Sequence, residues 1–162
     1  MKRILLISDT HGYIDDRILH YAAGADEVWH AGDIGDLRVM ESFTVPVRAV
    51  YGNIDGKEIK SVFCLHQRFL CEEVDVWITH IGGYPMHYTP RVKEVLKIDP
   101  PKLFICGHSH ILKVMFDKSL GFLHMNPGAA GTYGFQTMRT MIRFSVKGGR
   151  VSDLEVIELF KA

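Results

Sequence analysis

Five short apolar runs, each ending abruptly at polar residues, constrain this chain more than any other feature of its sequence. The runs are rich in β-branched residues and lie between segments of helical or turn character, a pattern typical of buried strands in an α/β fold. The runs and the residues that end them are 4–8 with Asp9, 28–31 with Gly32 and Asp33, 47–51 with Gly52 and Asn53, 74–79 with His80, and 103–106 with Gly107 and His108. The sequence therefore predicts a set of strands that all stop at polar loops.

Two of the intervening segments predict amphipathic helices. The first follows two aspartates and stops at Gly24, and its apolar positions share one helical face: Ile14, Ile18, Leu19 and Ala22. The second has Thr89 as its cap and Pro90 at its first position, and it ends before a Pro-Pro pair. We expect this second helix to turn three residues inward: Val92, Val95 and Leu96.

The sequence beyond residue 110 predicts antiparallel strands. Residues 113–116 and 122–125 flank a short turn, and apolar residues alternate along 140–146 before two glycines lead into 151–159. The two halves together predict an α/β chain whose strands form either one mixed sheet or two sheets packed together. No repeat, low-complexity segment or linker divides the chain, so a single domain across residues 1–162 is expected.

Composition narrows the functional classes. The 19 Lys and Arg residues balance 19 Asp and Glu residues, which argues against binding of long nucleic acid, since that usually needs a basic surplus. The three cysteines show no C-x-x-C spacing, so neither a disulfide framework nor a thiolate zinc site is predicted, and a reducing cytoplasmic location is expected. No apolar stretch approaches the length of a membrane span.

The polar residues that follow the strands form a set of metal-ligand type. Loops at the carboxyl ends of strands converge in open α/β sheets, so these side chains are expected to meet. The Asp9/His11 and His108/His110 pairs have i, i+2 spacing, which in extended backbone would turn both members of a pair to one side. The full set is Asp9, His11, Asp33, Asn53, His80, His108 and His110.

This set is too large for one tetrahedral zinc ion, which takes four ligands, and is about right for two metal ions. If Asp33 bridges them, each ion could receive four protein ligands and leave room for a water or hydroxide between the ions. Two ions about 3.5–4 Å apart form the usual clamp for displacement at phosphorus. The set therefore predicts metal-assisted phosphoester hydrolysis, and Gly12, Gly32, Gly52 and Gly107 fit the close backbone approach that such a rim needs.

A series of short motifs extends this prediction along residues 4–130. They are Ser8-Asp9-Thr10-His11-Gly12, Gly32-Asp33, Gly52-Asn53-Ile54-Asp55, Thr79-His80, Gly107-His108-Ser109-His110 and Asn126-Pro127-Gly128. Their order resembles that of the calcineurin-like metallophosphoesterases, and in particular the small bacterial and archaeal phosphodiesterase branch, whose fold also serves the retromer cargo-sorting subunit.

The resemblance implies a fold and a set of roles. The fold would be a sandwich of two mixed β-sheets flanked by helices, with a dinuclear site at its edge. One metal would be held by Asp9, His11, Asp33 and His110, and the other by Asp33, Asn53, His80 and His108. Asp33, Asn53 and His80 would act in catalysis through a hydroxide bridging two divalent ions, with Mn expected and Fe, Zn, Co or Ni as alternatives.

The sequence departs from the wider family in two places. Ile54 follows Asn53 where many members carry a histidine placed to protonate the leaving group, so aryl phosphodiesters are expected to be cleaved faster than alkyl ones. Asp55, His87 or a metal-bound water are weaker candidates for that proton. After His80, residues 81–85 replace a shorter turn, which makes the substrate-facing loop different.

Alternatives remain open at this point. The expected substrate is a small phosphodiester, with a phosphomonoesterase or nuclease as the nearest alternative. A noncatalytic scaffold for protein partners, like the retromer subunit, is the rival from another class. Among the other histidines, His30 is expected to orient a ligand. His20, His66 and His124 are expected either on the surface or in the core with their hydrogen bonds satisfied.

Overall fold

The computed structural model describes residues 1–161 and contains ten strands and four helices in that part of the chain. The first half has the order β1 (Lys2–Ile7), α1 (Asp16–Ala23), β2 (Glu27–His30), α2 (Leu37–Glu41), β3 (Val47–Ala49), α3 (Lys57–Lys60), β4 (His66–Cys71) and β5 (Val74–Thr79). The second half has α4 (Pro90–Ile98), β6 (Leu103–Ile105), β7 (Leu112–Asp117), β8 (Phe122–Pro127), β9 (Met138–Lys147) and β10 (Arg150–Phe160).

The strands form two five-stranded mixed sheets, with orders β10-β9-β1-β2-β3 and β4-β5-β6-β8-β7. Four strand pairs are parallel: β1 with β2, β2 with β3, β5 with β6 and β6 with β8. The other pairs are antiparallel: β1 with β9, β4 with β5, and the β7–β8 and β9–β10 hairpins predicted from the sequence. Of the two arrangements left open, the chain adopts the one with two sheets.

Alternation along the strands divides the apolar residues between three buried layers. The central layer lies between the sheets, where Leu6 and Trp29 of the first sheet belong to the same cluster as Ile78 and Ile105 of the second. On the outer face of the first sheet, Leu5 and other residues pack with α1 and α2, and on the outer face of the second sheet Phe104 and its neighbours pack with α4. The sandwich flanked by helices that the resemblance implied is therefore confirmed.

The predicted helix α1 is close to the one observed. Asp15 is its N-cap, accepting a hydrogen bond from the backbone N–H of Ile18, and Gly24 is its C-cap, while Ile14 lies before the helix. In α4, Val92 and Leu96 are buried as predicted, but Val95 is 36% exposed, so its predicted inward position is wrong. Val95 lies at the edge of the helix face whose centre Val92 and Leu96 occupy, so it is only partly covered.

Three short elements were not predicted. β4 was missed because its exposed and half-buried residues alternate without an apolar run. His66, which falls between the predicted strands at 47–51 and 74–79, in fact begins this strand. Helices α2 and α3 are too short for a helical period to show in the sequence. No helix in the described part of the chain combines the length and the apolar character that crossing a bilayer would need.

Candidate metal centre

The seven sequence-predicted side chains all come from loops that follow parallel strands. The loops after β1, β2 and β3 supply the first four from one sheet, and the loops after β5 and β6 supply the other three from the second sheet. The site therefore lies across the shared edge of the sandwich, where both sheets end. Its members are Asp9, His11, Asp33, Asn53, His80, His108 and His110.

One group of ligand atoms forms around Asp9. The carboxylate of Asp9 and the rings of His11 and His110 offer ligand atoms that all lie within 4.8 Å of one another. Asp9 Oδ1 is 3.2 Å from His110 Nε2 and 3.9 Å from His11 Nε2. Asp33 Oδ2 lies 3.5 Å from His11 Nε2, which brings a fourth predicted ligand to this group.

A second group forms around Asp33. Its carboxylate, His80 and His108 again offer ligand atoms within 4.8 Å of one another, and Asp33 Oδ2 is 3.2 Å from His80 Nε2. Asn53 joins this group through its Oδ1 atom, which is 3.0 Å from His108 Nδ1. The structure thus brings together all seven predicted residues, with Asp33 between the two groups.

Left-handed backbone turns these side chains into the centre. Five of the seven residues have positive φ: Asp9 (53°), His11 (47°), Asp33 (56°), His108 (74°) and His110 (62°). The extended backbone expected for the two i, i+2 pairs is therefore wrong. The left-handed conformation costs a non-glycine residue roughly 1–2 kcal/mol. Strain of this kind is characteristic of binding sites held by the surrounding structure.

Close backbone approach explains three of the four predicted glycines. A Cβ atom at Gly32 would overlap the His80 side chain. A Cβ atom at Gly52 would overlap Asp33 Oδ1, and one at Gly107 would overlap Ser8 Oγ and lie 2.8 Å from Asp9 Oδ2. These loops can therefore pack directly against the two carboxylates only because they lack a side chain at these points.

Each carboxylate has one oxygen fixed by the protein and one directed at the centre. Asp9 Oδ2 accepts hydrogen bonds from Ser8 Oγ at 2.6 Å and from the backbone N–H of His108 at 3.1 Å, while Asp9 Oδ1 is buried without a hydrogen-bond partner. Asp33 Oδ1 accepts from the backbone N–H of Ile54 at 3.2 Å, and its Oδ2 faces the imidazoles. The carboxylates are thereby held in place while keeping a free oxygen each.

The imidazoles are arranged in the same way. His80 Nδ1 donates to the carbonyl oxygen of Ala31 at 2.7 Å, and His110 Nδ1 donates to Gln136 Oε1 at 3.0 Å. With the proton on Nδ1, the Nε2 lone pair of each neutral ring points toward the carboxylate oxygens. The Nε2 atoms of His80 and His11 are buried without hydrogen-bond partners.

Several acceptors thus face one another in one small volume without a donor from the protein, an arrangement that attracts positive charge. Buried polar atoms without partners are costly, whereas a divalent cation would bind this set of oxygen and imidazole donors directly. The residues present therefore fit a metal centre. Histidine with a second ring nitrogen fixed by a carbonyl or amide oxygen is the usual form of a metal ligand.

The pKa shifts show the same attraction for positive charge. Burial lowers the pKa of His80, but the Asp33 and Asp9 carboxylates outweigh it and raise that pKa above its ordinary value. The Asp9 carboxylate, 3.2 Å from His110 Nε2, raises the pKa of His110 despite partial burial. For Asp33, burial opposes ionisation, yet the neighbouring His80 side chain holds the pKa of Asp33 below the ordinary value. By contrast, burial lowers the pKa of His11.

Of two residues that support the predicted ligands, the sequence predicted one and missed the other. His30 was expected to orient a ligand, and it contacts two of the loops that carry the site. Its Nδ1 accepts a hydrogen bond from the backbone N–H of Gly32 (3.1 Å), and its Nε2 donates to Thr10 Oγ1 (2.9 Å). Burial lowers the pKa of His30 to about 4, so this ring is neutral. Gln136, which orients His110, was missed because it follows no strand end and belongs to no motif.

The two side chains suggested as proton sources have other contacts. The buried Asp55 carboxylate accepts three backbone hydrogen bonds, from Ile34, Gly35 and Gly52 at 2.8–3.1 Å, and so joins the loops after β2 and β3. Both oxygens of Asp55 are thus engaged in holding these loops together. The exposed ring of His87 packs on Tyr84 with centroids 4.8 Å apart, and His87 belongs to neither ligand group.

Comparison with known proteins gives consistent results. The sequence model of the calcineurin-like phosphoesterase superfamily domain matches residues 1–149. A probable metallophosphoesterase of Mycoplasma pneumoniae is 28% identical over 165 residues, which cover 95% of this chain and 96% of that protein.

Solved structures extend the comparison to the fold. Vps29 of Entamoeba histolytica, crystallised with Zn²⁺, superposes with a TM-score of 0.75 at 14% identity, and the match covers 99% of each chain. An archaeal phosphodiesterase superposes with a TM-score of 0.71 at 20% identity over 97% of this chain and 99% of the other. At these identities the two structures establish a shared fold.

Proposed function

The chain belongs to the calcineurin-like phosphoesterase superfamily, and from this premise we propose that it is a metal-dependent phosphodiesterase acting on a small phosphodiester. The observation that carries the proposal is the convergence of seven donor side chains whose inward-facing atoms Asp9 Oδ1, His11 Nε2 and His80 Nε2 have no other partner. A scaffold has no need of such an arrangement, whose buried acceptors cost free energy unless a ligand satisfies them.

We propose that these seven side chains bind two divalent metal ions, and that the ions are Mn²⁺. Asp9, His11, Asp33 and His110 would hold one ion, and Asp33, Asn53, His80 and His108 the other. When bound, such a pair polarises phosphoryl oxygens and lowers the pKa of water toward neutrality. The protein supplies fixed donors at the correct positions before substrate arrives, so little reorganisation is needed during the reaction.

The open side of the centre indicates where the substrate approaches. His108 and Asn53 are exposed, whereas Asp9, Asp33 and His80 are buried. We infer that the phosphoryl group approaches over His108 and Asn53. Ile54, 47% exposed next to Asn53, offers no proton, so leaving groups that need little protonation should react faster, and aryl diesters should exceed alkyl diesters.

An apolar cleft of about 680 Å³ adjoins the Asp9 half of the centre and gives room for one substituent of a small ester. Ile111, Tyr133 and Phe135 line it beside His108 and His110. The Tyr133 ring also packs on His11, with centroids 4.7 Å apart. A neutral substituent suits these walls better than a second charged group.

Hydrolysis of bis(4-nitrophenyl) phosphate by the Mn²⁺-loaded protein tests the proposal. We expect turnover that chelation abolishes, and slower release from 4-nitrophenyl phosphate. Asp33→Asn should lose metal and turnover together, because Asp33 lies between both groups. Asp16→Asn, an exposed aspartate in the first turn of α1, is the matched control and should keep both. Full turnover by Asp33→Asn would exclude the assignment.

The rival function is a noncatalytic scaffold, which the exposed apolar rim of the centre favours. Phe135 is fully exposed, and Ile111 and Tyr133 are 67% and 68% exposed. A protein that binds two Mn²⁺ ions but cleaves no mono- or diester would support the scaffold instead.

A cytoplasmic location is also proposed, since Cys64, Cys71 and Cys106 are all free thiols.

A further inference from the structure

A second cleft, of about 540 Å³, adjoins the Asp33 half of the metal centre. Asn53 and His80 form its inner end, so the cleft is continuous with the second ligand group. Its outer wall carries two cations from different elements: Lys60, the last residue of α3, and Arg91, in the first turn of α4. The cleft therefore lies between the proposed metal centre and two positive side chains.

These two cations are not neutralised by the protein. Within residues 1–161, no carboxylate oxygen lies within 4.0 Å of the Lys60 ammonium or the Arg91 guanidinium, whereas Arg38, Arg68 and Arg139 all have such partners. The polar contact of Arg91 is a 3.2 Å hydrogen bond to Thr79 Oγ1, which engages one of its nitrogens and leaves the rest of the guanidinium free.

The other residues that line the cleft place the two cations beside a surface that suits the carbon skeleton of a ligand. The Lys60 ammonium lies 5.2 Å from the centroid of the Tyr51 ring, a cation–π distance. Leu65 also lines the cleft. A ligand with an anionic end and a short organic body would place its charge on Lys60 and Arg91 and its body along Tyr51 and Leu65.

We propose that this cleft is a second anion subsite that binds a further phosphate group of the substrate. The preferred substrates would then be diesters in which one ester substituent ends in a phosphate monoester. A phosphate dianion matches a guanidinium and an ammonium better than a carboxylate does, since it has more acceptor oxygens and more charge. This inference rests on the proposed function, because the scissile phosphate must occupy the metal centre.

Bisphosphates with a flexible spacer test the subsite without fixing the separation of the two phosphates in advance. Propanediol, butanediol and hexanediol bisphosphates are compared with propyl, butyl and hexyl monophosphates, both by calorimetric titration of the Mn²⁺-loaded protein and by inhibition of bis(4-nitrophenyl) phosphate hydrolysis. For at least one spacer we expect about tenfold tighter binding of the bisphosphate, as one charge-assisted contact would provide. Raising the salt concentration should shrink this ratio, because both cations are exposed.

Substitutions identify the groups responsible. In Lys60→Gln and Arg91→Gln the bisphosphate-to-monophosphate ratio should fall, and in the double variant it should approach one. Lys97→Gln, on the last turn of α4 and outside the cleft, should leave the ratio as it is. A ratio near one in the unaltered protein for every spacer, or a ratio that the double variant retains, would overturn the subsite.

The proposed function and the subsite fail in different ways. If bis(4-nitrophenyl) phosphate is not cleaved, the phosphodiesterase proposal fails, and calorimetry still measures the ratio that decides the subsite. If that ester is cleaved but bisphosphates bind no better than monophosphates, the subsite fails and the phosphodiesterase proposal stands.

Discussion

Gln136 is the residue whose contact most directly supports a proposed metal ligand, His110. Its Oε1 atom accepts a hydrogen bond from His110 Nδ1 at 3.0 Å and so presents His110 Nε2 to Asp9. Its amide nitrogen donates to the carbonyl oxygens of Gly131 and Tyr133, at 3.2 and 2.7 Å. One side chain therefore both orients the imidazole and holds the loop beside it.

Replacing Gln136 should weaken metal binding while leaving every proposed ligand in place. We expect Gln136→Ala to lower Mn²⁺ affinity about 10- to 100-fold, as loss of an orienting partner usually does. Gln136→Glu keeps the acceptor for His110 and loses the two loop contacts, so it should restore most of the affinity. Calorimetric titration measures the change, and Gln67→Ala, which removes a hydrogen bond to Ala49 in β3, is the control. Equal losses in Gln136→Ala and Gln136→Glu would assign the effect to the loop instead.

His124 makes folding sensitive to acid. Its side chain is fully buried near the rings of Tyr88 and Phe104, and neither ring nitrogen has a hydrogen-bond partner. Burial lowers its pKa to about 4, below the ordinary 6.5. Between these values the unfolded chain binds a proton that the folded chain does not. The contribution to stability is therefore fully present above pH 6.5 and is lost as the pH falls toward 4.

Comparison with a variant that lacks this histidine isolates its contribution to the pH dependence of stability. From pH 7 to pH 5 the protein should lose about 2 kcal/mol more free energy of unfolding than His124→Phe does. Urea unfolding at the two pH values measures the difference, and the other histidines cancel because both proteins contain them. Curves that shift in parallel would show that His124 does not contribute.

For single residues, the sequence predicted which side chains meet at the site better than it predicted their backbone conformations. All seven donors were found because each follows a strand in the chain, and this relation is visible without a structure. The left-handed backbone of residues such as Asp9 and His110 was not predicted, since aspartate and histidine also adopt extended backbone. Gln136 was missed because its role depends on a contact with His110 across 26 positions of sequence.

Among the elements, the connection from β3 to α3 carries the tightest steric requirement. Gly52 lies where a Cβ would overlap Asp33 Oδ1 and the Asp33 backbone nitrogen, whereas a Cβ at Gly56 on the same connection would meet nothing within 4 Å. The same residue type thus has different roles four positions apart.

The two glycines make a matched pair of substitutions. Gly52→Ala should displace Asp33, destabilise the fold by about 1–3 kcal/mol and lower Mn²⁺ affinity at least about tenfold, because overpacking shifts the carboxylate between the two groups. Gly56→Ala should change stability by no more than about 0.5 kcal/mol and leave affinity unaltered. Thermal unfolding and metal titration on both variants check this, and similar effects at the two positions would contradict it.

Element prediction succeeded where apolar runs were continuous and failed where burial was partial. β5 was predicted at its observed limits, since most of its residues are buried. β4 alternates between exposed and half-buried residues, so no run marks it. Thr89 occupies the N-cap position of α4 as predicted but makes no side-chain capping bond there, which a residue preference cannot reveal.

For the whole molecule, sheet order was beyond prediction because it depends on distant pairings. β9 lies beside β1, with Leu6 opposite Ile142, and nothing local in either strand specifies that partner. The consequence is functional: Asp9, Asp33 and Asn53 reach the centre from one sheet, and His80 and His108 from the other. A bound pair of ions would therefore link the two halves of the sandwich.

Metal removal should accordingly lower the stability of the entire fold. At a free Mn²⁺ concentration 100 times the dissociation constant, each ion adds about 2.7 kcal/mol, and a chain of this size gains roughly 2–4 °C in Tm per kcal/mol. We expect Tm to rise on the order of 10 °C between chelator and excess Mn²⁺ in scanning calorimetry. Hydrogen exchange should slow in the loops at 31–36 and 106–111, which come from opposite sheets. Asp33→Asn should show little of either response, since it removes the carboxylate between both groups. An equal rise in that variant would place the metal elsewhere on the protein, and no rise in the unaltered chain would exclude a link between the sheets.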